Sequence, residues 1–187
     1  MRTKNVVAYM ALALSPVLIA CGGSGSGDKA AETSSFNSQD VTFAVQMIPH
    51  HLQATEMAGT AESRTKNQAV LDLAGNIKAA QAPEIDMMTD WLQAWGKNMP
   101  GGDHSMEGMD DGEGMMSDSE LVELEAKSGK AFDRQFLSMM IEHHRGAIDM
   151  AKDEEAKGKL PAAVDLAKKI QADQAKEITL MESLLEN

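Results

Sequence analysis

Two twelve-residue stretches hold most of the reactive side chains in this sequence: residues 47–58, MIPHHLQATEMA, and residues 140–151, MIEHHRGAIDMA. They contain four of the five histidines, and Met, Ile, His, His, Ala, Met and Ala recur in register, 93 positions apart. Imidazole nitrogen and thioether sulfur together suit copper, Cu(I) preferring the sulfur and Cu(II) the nitrogen. The candidate ligands are therefore Met47, His50, His51, Met57, Met140, His143, His144 and Met150. A hydrolytic triad, a phosphate-binding glycine loop and a dinucleotide fingerprint are not evident in the sequence.

To act together these side chains must share a helix face. At about 100° per residue, Met47, His50, His51, Ala54, Met57 and Ala58 fall within an arc of roughly 120°, with Glu56 opposite. Met140, His143, His144, Ala147, Met150 and Ala151 repeat that face, with Asp149 in the place of Glu56. Adjacent histidines diverge by about 100°, so both imidazoles of one pair do not easily reach one ion. Two facing helices then give one imidazole each to a shared site, or each helix builds its own Met–His site. Pro49 removes a backbone donor inside the first face, which predicts a kink or a helix restart just before His50.

The same offset links two further helices. Residues 67–95 carry Leu73, Ile77, Gln81, Glu84, Met88, Trp91 and Trp95 on one stripe, with a kink expected at Pro83. The last helix, from Pro161 to about residue 185, repeats it with Leu166, Ile170, Gln174, Glu177, Met181 and Leu184. Polar residues interrupt both apolar stripes at the same register. Glu84 and Glu177 are thus candidates for pairing with a histidine across the bundle, since charged groups are seldom buried alone, and they are also counted among the candidate metal ligands.

The first helix is expected to start at Ser38 or Asp40, either of which can cap it, and to fade over residues 59–63. Residues 117–120, Ser-x-x-Glu, fit a capping box and open a short helix to about Lys127, and a further helix runs from near Lys130 to Gly158. No stretch alternates like a strand. Two aligned hairpins with apolar stripes predict an all-α antiparallel four-helix bundle made of two duplicated helical hairpins.

Between the hairpins, the crossover 96–118 is rich in glycine and acids and contains Met99, His104, Met106, Met109, Met115 and Met116. Methionine normally belongs in cores, and His104, Met106 and Met109 are similar to the Met and His clusters of bacterial copper-handling proteins. They are expected to form an additional soft-metal site.

Residues 1–20 read as a lipoprotein signal peptide: Arg2 and Lys4, an apolar run too short to span a bilayer, then Leu18, Ile19 and Ala20 before Cys21. Cys21, the sole cysteine, is then the lipidation site and is unavailable for a disulfide or a thiolate ligand. Residues 21–39 form a Gly/Ser-rich tether, and 40–187 the domain. The expected location is extracytoplasmic, lipid-anchored to the membrane at the cell surface or periplasmic face, with membrane contact through the lipid alone. A formal net charge of −12 disfavours nucleic acid as a partner and leaves metal ions as the expected one.

The paired Met-x-x-His-His-x-x-Ala-x-x-Met-Ala signatures, each followed by Gln-x-x-Glu-Ile, resemble the secreted bacterial family known as domain of unknown function 305. The resemblance covers roughly 40–95 and 121–185. It implies a ferritin-like helical fold and makes copper binding plausible, because some cyanobacterial periplasmic members are implicated in copper binding and resistance. Two other readings stand beside it. In one, core His–Glu pairs specify a structural or partner-binding lipoprotein. In the other the chain is a ferritin-like metal-dependent oxidase, although Met47 and Met140 stand where a di-iron site has glutamate three residues before its histidine.

Overall fold

The computed structural model describes residues 35–99 and 114–186, so that Cys21 and the tether up to residue 34, together with His104, Met106 and Met109, lie outside the described residues. Five helices follow in order: α1 (Ser38–Arg64), α2 (Gln68–Ala94), α3 (Asp118–Glu125), α4 (Gly129–Lys157) and α5 (Pro161–Glu186). None is long and apolar enough to cross a membrane.

Most helix limits follow from local chemistry. Ser117 caps α3 in the expected box with Glu120, and Asn67 caps α2. The cap of α1 is Asn37, not Ser38 or Asp40: its side chain accepts from the amides of Gln39 and Asp40 at 2.8 and 3.1 Å, while the Asp40 carboxylate accepts from the Asn37 amide at 2.6 Å. Neither proline interrupts its helix, since Pro49 lies within α1 and Pro83 within α2. A proline in a helix interior costs about 3 kcal/mol. Around Pro49, the burial of Met47, Ile48, His50 and His51 outweighs that loss, and the expected restart does not occur.

The duplicated hairpins are present, α1 against α2 and α4 against α5, and they meet through α1 and α4. The expected four-helix bundle is modified in two respects: α3 is a fifth element, and α2 and α5 touch only sparsely. Burial explains the second departure. α1 and α4 bury residues on two sides, including Phe43, Ala44, Met47, Ile48 and His51 in one and Phe136, Leu137, Met140, Ile141 and His144 in the other. α2 and α5 each bury one narrow stripe, which their own hairpin partner largely consumes.

Two apolar clusters fill the interior. One joins the C-terminal half of α1, around Met57, to the N-terminal half of α4, around Phe136 and Met140. The other joins the start of α1, around Phe43 and Met47, to Ala147 and Ala151 further along α4. α1 and α4 therefore run antiparallel, and both histidine pairs fall between the clusters.

Aspartates at positions related by the same 93-residue offset tie each hairpin to the other's turn. Asp40 of α1 accepts the amides of Lys159 and Leu160, both at 2.9 Å, and Asp133 of α4 accepts from the Asn67 side chain at 3.1 Å. Burial pushes the Asp40 carboxyl up, but the amides of Asn37, Leu160 and Lys159 and the neighbouring Glu154 carboxyl together hold it below the ordinary value. Glu154 has no exposed surface, and burial, then Asp40, pushes it up to about 8. Because its folded value lies above the ordinary 4.5, Glu154 contributes stability fully below about that pH and loses it as the pH rises through about 8. Asp40 acts in the opposite sense, only at pH values below its ordinary 3.8. Glu154→Gln keeps the neutral shape, so its melting temperature should match the wild type near pH 5 and exceed it progressively towards about pH 9. Parallel melting-temperature profiles across that range would contradict a buried, protonated Glu154.

Candidate metal centre

Four histidines occupy the layer between the apolar clusters, each no more than 1 % exposed. The two members of each pair turn in different directions, as the 100° step requires. His51 reaches α2, with Nε2 2.8 Å from Glu84 Oε2, and His144 reaches α5, with Nε2 2.7 Å from Glu177 Oε2. The partners lie within each hairpin and not across the bundle. His50 and His143 turn towards each other, with ring centroids 3.7 Å apart and planes tilted by 43°. The structure thus brings together one imidazole from each facing helix.

An ionised carboxylate only accepts, so His51 and His144 donate from Nε2. In the neutral tautomer Nδ1 then keeps its lone pair, and in both residues Nδ1 is buried without a hydrogen-bond partner among the described residues. Ligating histidines commonly have this arrangement, a carboxylate on one ring nitrogen fixing the tautomer and orientation of the other. Glu84 and Glu177, sequence candidates both for pairing with histidine and for ligation, each accept a hydrogen bond from an imidazole.

The two supports differ. Burial pushes Glu84 up, yet hydrogen bonds and charge from His51 and Lys169 hold it below the ordinary carboxylate range. Lys169 Nζ lies 2.8 Å from Glu84 Oε1, and that bond in turn raises the lysine. Glu177 is one-fifth exposed. Asn76 stands at the position equivalent to Lys169, so the repeat gives Glu177 no matching cation.

His143 is held well below its ordinary value, first by burial and then by the nearby imidazoles of His50, His144 and His51. Among the described residues neither of its ring nitrogens has a partner of ordinary hydrogen-bond geometry, although the His50 backbone favours its protonated form. Gln81 and Gln174, three residues before Glu84 and Glu177, are buried as well. Both polar side-chain atoms of Gln81 and the Oε1 of Gln174 lack partners among the described residues. Each orphaned buried group costs on the order of 1–3 kcal/mol.

The candidate methionines flank this layer in two sets. Met57 and Met140 belong to one apolar cluster, Met47 and the partly buried Met150 to the other. The repeat relation exchanges the two sets. Among the described residues no group of three or more His, Cys, Asp or Glu side chains is placed to hold a metal ion. The donors on hand are imidazole nitrogens with thioethers on either side. Glu56 and Asp149 are exposed, as the helix phase requires.

Three contributors are not apparent from the helix faces alone. Lys169 and Gln53 have no counterpart in the repeat, and a lysine on an exposed face gives no sign of its target. The buried Asp40 does carry a signal, since Asp133 recurs at the same offset.

A model of the family described as domain of unknown function, DUF305, matches residues 40–185. The chain belongs to the DUF305 family. Among solved structures, a DUF305 protein of Streptomyces coelicolor described as secreted is 36% identical, with a TM-score of 0.73 over 80% of this chain and 93% of its own. A DUF305 fragment from Deinococcus radiodurans is 33% identical, with a TM-score of 0.71 over 80% and 97%. CopM in its Cu(II)-bound form is 32% identical, with a TM-score of 0.67 over 79% and 96%, and CopM is also seen in Cu(I)-bound, Ag-bound and apo forms. No curated protein matches the chain.

In this DUF305 protein the two supports should differ in thermodynamic weight. Glu84→Leu strands His51 and removes the partner of Lys169, and should destabilise by about 2–3 kcal/mol. Glu177→Leu, at a wetter position, should cost about 1 kcal/mol. Urea unfolding of the two variants measures the difference, and equal midpoints would show that Glu84 holds no special place.

Proposed function

We propose that this DUF305 protein is an extracytoplasmic copper-binding protein, anchored by lipid at Cys21, that takes up the ion through histidine and methionine side chains. The observation that carries the reading is the buried imidazole layer, in which His51 and His144 keep unpartnered Nδ1 atoms while carboxylates fix their outer nitrogens. The similarity to CopM, seen with Cu(I), Cu(II) and Ag, supports copper as the ion. The donor chemistry fits. Neutral imidazoles bind either oxidation state, thioethers favour Cu(I), and a site without cysteine withstands an oxidising compartment.

In this reading residues 1–20 are a signal peptide and 21–39 the tether, and 40–187 is a ferritin-like domain of two hairpins. His104, Met106 and Met109 of the crossover collect ions outside the core. His50, His51, His143 and His144 supply nitrogen, Met47, Met57, Met140 and Met150 supply sulfur, and Glu84 and Glu177 orient His51 and His144. Storage and buffering of copper suit this arrangement better than catalysis, because Met47 and Met140 replace the carboxylates that an oxidase of the ferritin type would need.

The second reading has its own observation: the two His–Glu pairs are what a purely structural core, presented to a protein partner, would contain. Competition titration with Cu(I) and Cu(II), on the wild type and on a variant with all four paired histidines changed to alanine, separates the two. If copper binds in the bundle, the variant loses the tightly held ion, and Glu84→Gln with Glu177→Gln weakens it by about 10–100-fold. Identical binding by wild type and the four-histidine variant would leave the structural reading in place.

A further inference from the structure

The described end of the crossover does not simply connect the hairpins. Met116 makes a two-way bond with one side chain: Gln53 Nε2 donates to the Met116 carbonyl at 2.7 Å, and the Met116 amide donates to Gln53 Oε1 at 2.8 Å. Two residues earlier, Gly114 has φ 84°, a left-handed conformation that favours glycine, and a Cβ there would lie 2.7 Å from the Glu142 carbonyl and 3.1 Å from the Gly146 Cα. The segment 114–116 is therefore fastened to α1 at Gln53 and pressed against α4 at Gly146.

These two anchor points are equivalent positions of the repeat. Gln53 follows His50 by three residues, and Gly146 follows His143 by three. Residues three apart are neighbours on a helix surface. The segment thus straps the α1–α4 seam at the level where His50 and His143 meet. The repeat supplies a side chain long enough to clasp it on one helix and a residue small enough to admit it on the other. At this strap Met116 is partly buried and packs against the cluster that contains Met57 and Met140. α3 follows at once, starting from the Ser117 cap and burying Leu124 in the same cluster.

We propose that Gly114–Met116 is a strap across the histidine layer and that Met116 is a further thioether ligand for a soft monovalent ion on its way into the buried imidazoles. The inference rests on the copper reading and adds to it a ligand outside both helical signatures. Backbone clasping by Gln53 explains why a thioether in a connecting segment is held in place: a ligand fixed before the ion arrives loses less conformational freedom on binding. Gln53 is a positioning residue in this scheme. Met116 joins the set containing Met57 and Met140, while Met99, at the other end of the crossover, packs against the cluster of Met47 and Met150 without such a clasp among the described residues.

The test uses the full chain labelled with 13C at methionine methyls and titrated with Ag(I), a diamagnetic d10 stand-in for Cu(I). Met116→Leu assigns the Met116 methyl resonance. The strap proposal expects that resonance to shift with the first equivalent of Ag(I), together with those of Met57 or Met140, and expects Gln53→Ala to reduce the Met116 shift while the other two persist. If the Met57 or Met140 methyls and the histidine ring signals move but the Met116 methyl does not, the strap proposal is overturned and the copper reading stands. If neither methionine methyls nor histidine signals respond to Ag(I), the copper reading falls and the strap proposal with it.

Discussion

A carboxylate accepting a hydrogen bond from a buried imidazole is the interaction on which the interior of this protein depends. It occurs twice, at His51–Glu84 and His144–Glu177, with the same 33-residue separation each time. Polar groups of this size are costly to bury alone. Pairing offsets that cost within each hairpin, before the hairpins meet. The second histidine of each pair is thereby committed to its own hairpin, which leaves the first, His50 or His143, to face the other. The direction of one bond thus settles which imidazoles meet across the seam and which nitrogens remain unpartnered. The bond that satisfies one ring nitrogen also fixes the tautomer of the other.

The duplication gives the layer its approximate symmetry, from which several residues depart. Lys169 reinforces Glu84 and has no equivalent at Glu177. Gln53 clasps the strap where the repeat has Gly146, and Gly114 lies so close to the Gly146 backbone that a side chain on Gly114 would not fit. Asp40 and Asp133 each cross to the opposite hairpin's turn, but only Asp40 meets a second buried acid, Glu154. Each departure sits on a scaffold whose apolar clusters, on either side of the histidines, are closely matched.

Much of this is legible in the chain. The helix face of Met47, His50, His51 and Met57 follows from the 100° step, and the recurrence of Gln81 and Glu84 as Gln174 and Glu177 marks a polar layer by spacing alone. The Ser117 capping box is equally local. What is not legible depends on contacts between segments. Asn37, Ser38 and Asp40 are all competent caps, and the bonds from Asn37 to the Lys157 carbonyl and from the Lys159 and Leu160 amides to Asp40 tie that choice to the tertiary structure. The helices run on through Pro49 and Pro83 in spite of proline's low helix propensity. The sparse meeting of α2 and α5 reflects the width of apolar faces, which a stripe count does not measure. The approach of His50 to His143 needs the crossing of α1 and α4, and no spacing in the sequence contains it.

The central claim is that imidazoles anchored by carboxylates and flanked by thioethers form one mixed nitrogen–sulfur centre. X-ray absorption at the copper edge, on the full chain loaded with a single equivalent of Cu(I), addresses it directly. The account predicts sulfur neighbours together with the scattering signature of imidazole, and loss of the imidazole part when His50, His51, His143 and His144 are changed to alanine. A spectrum with only sulfur neighbours, unchanged by that substitution, would contradict it.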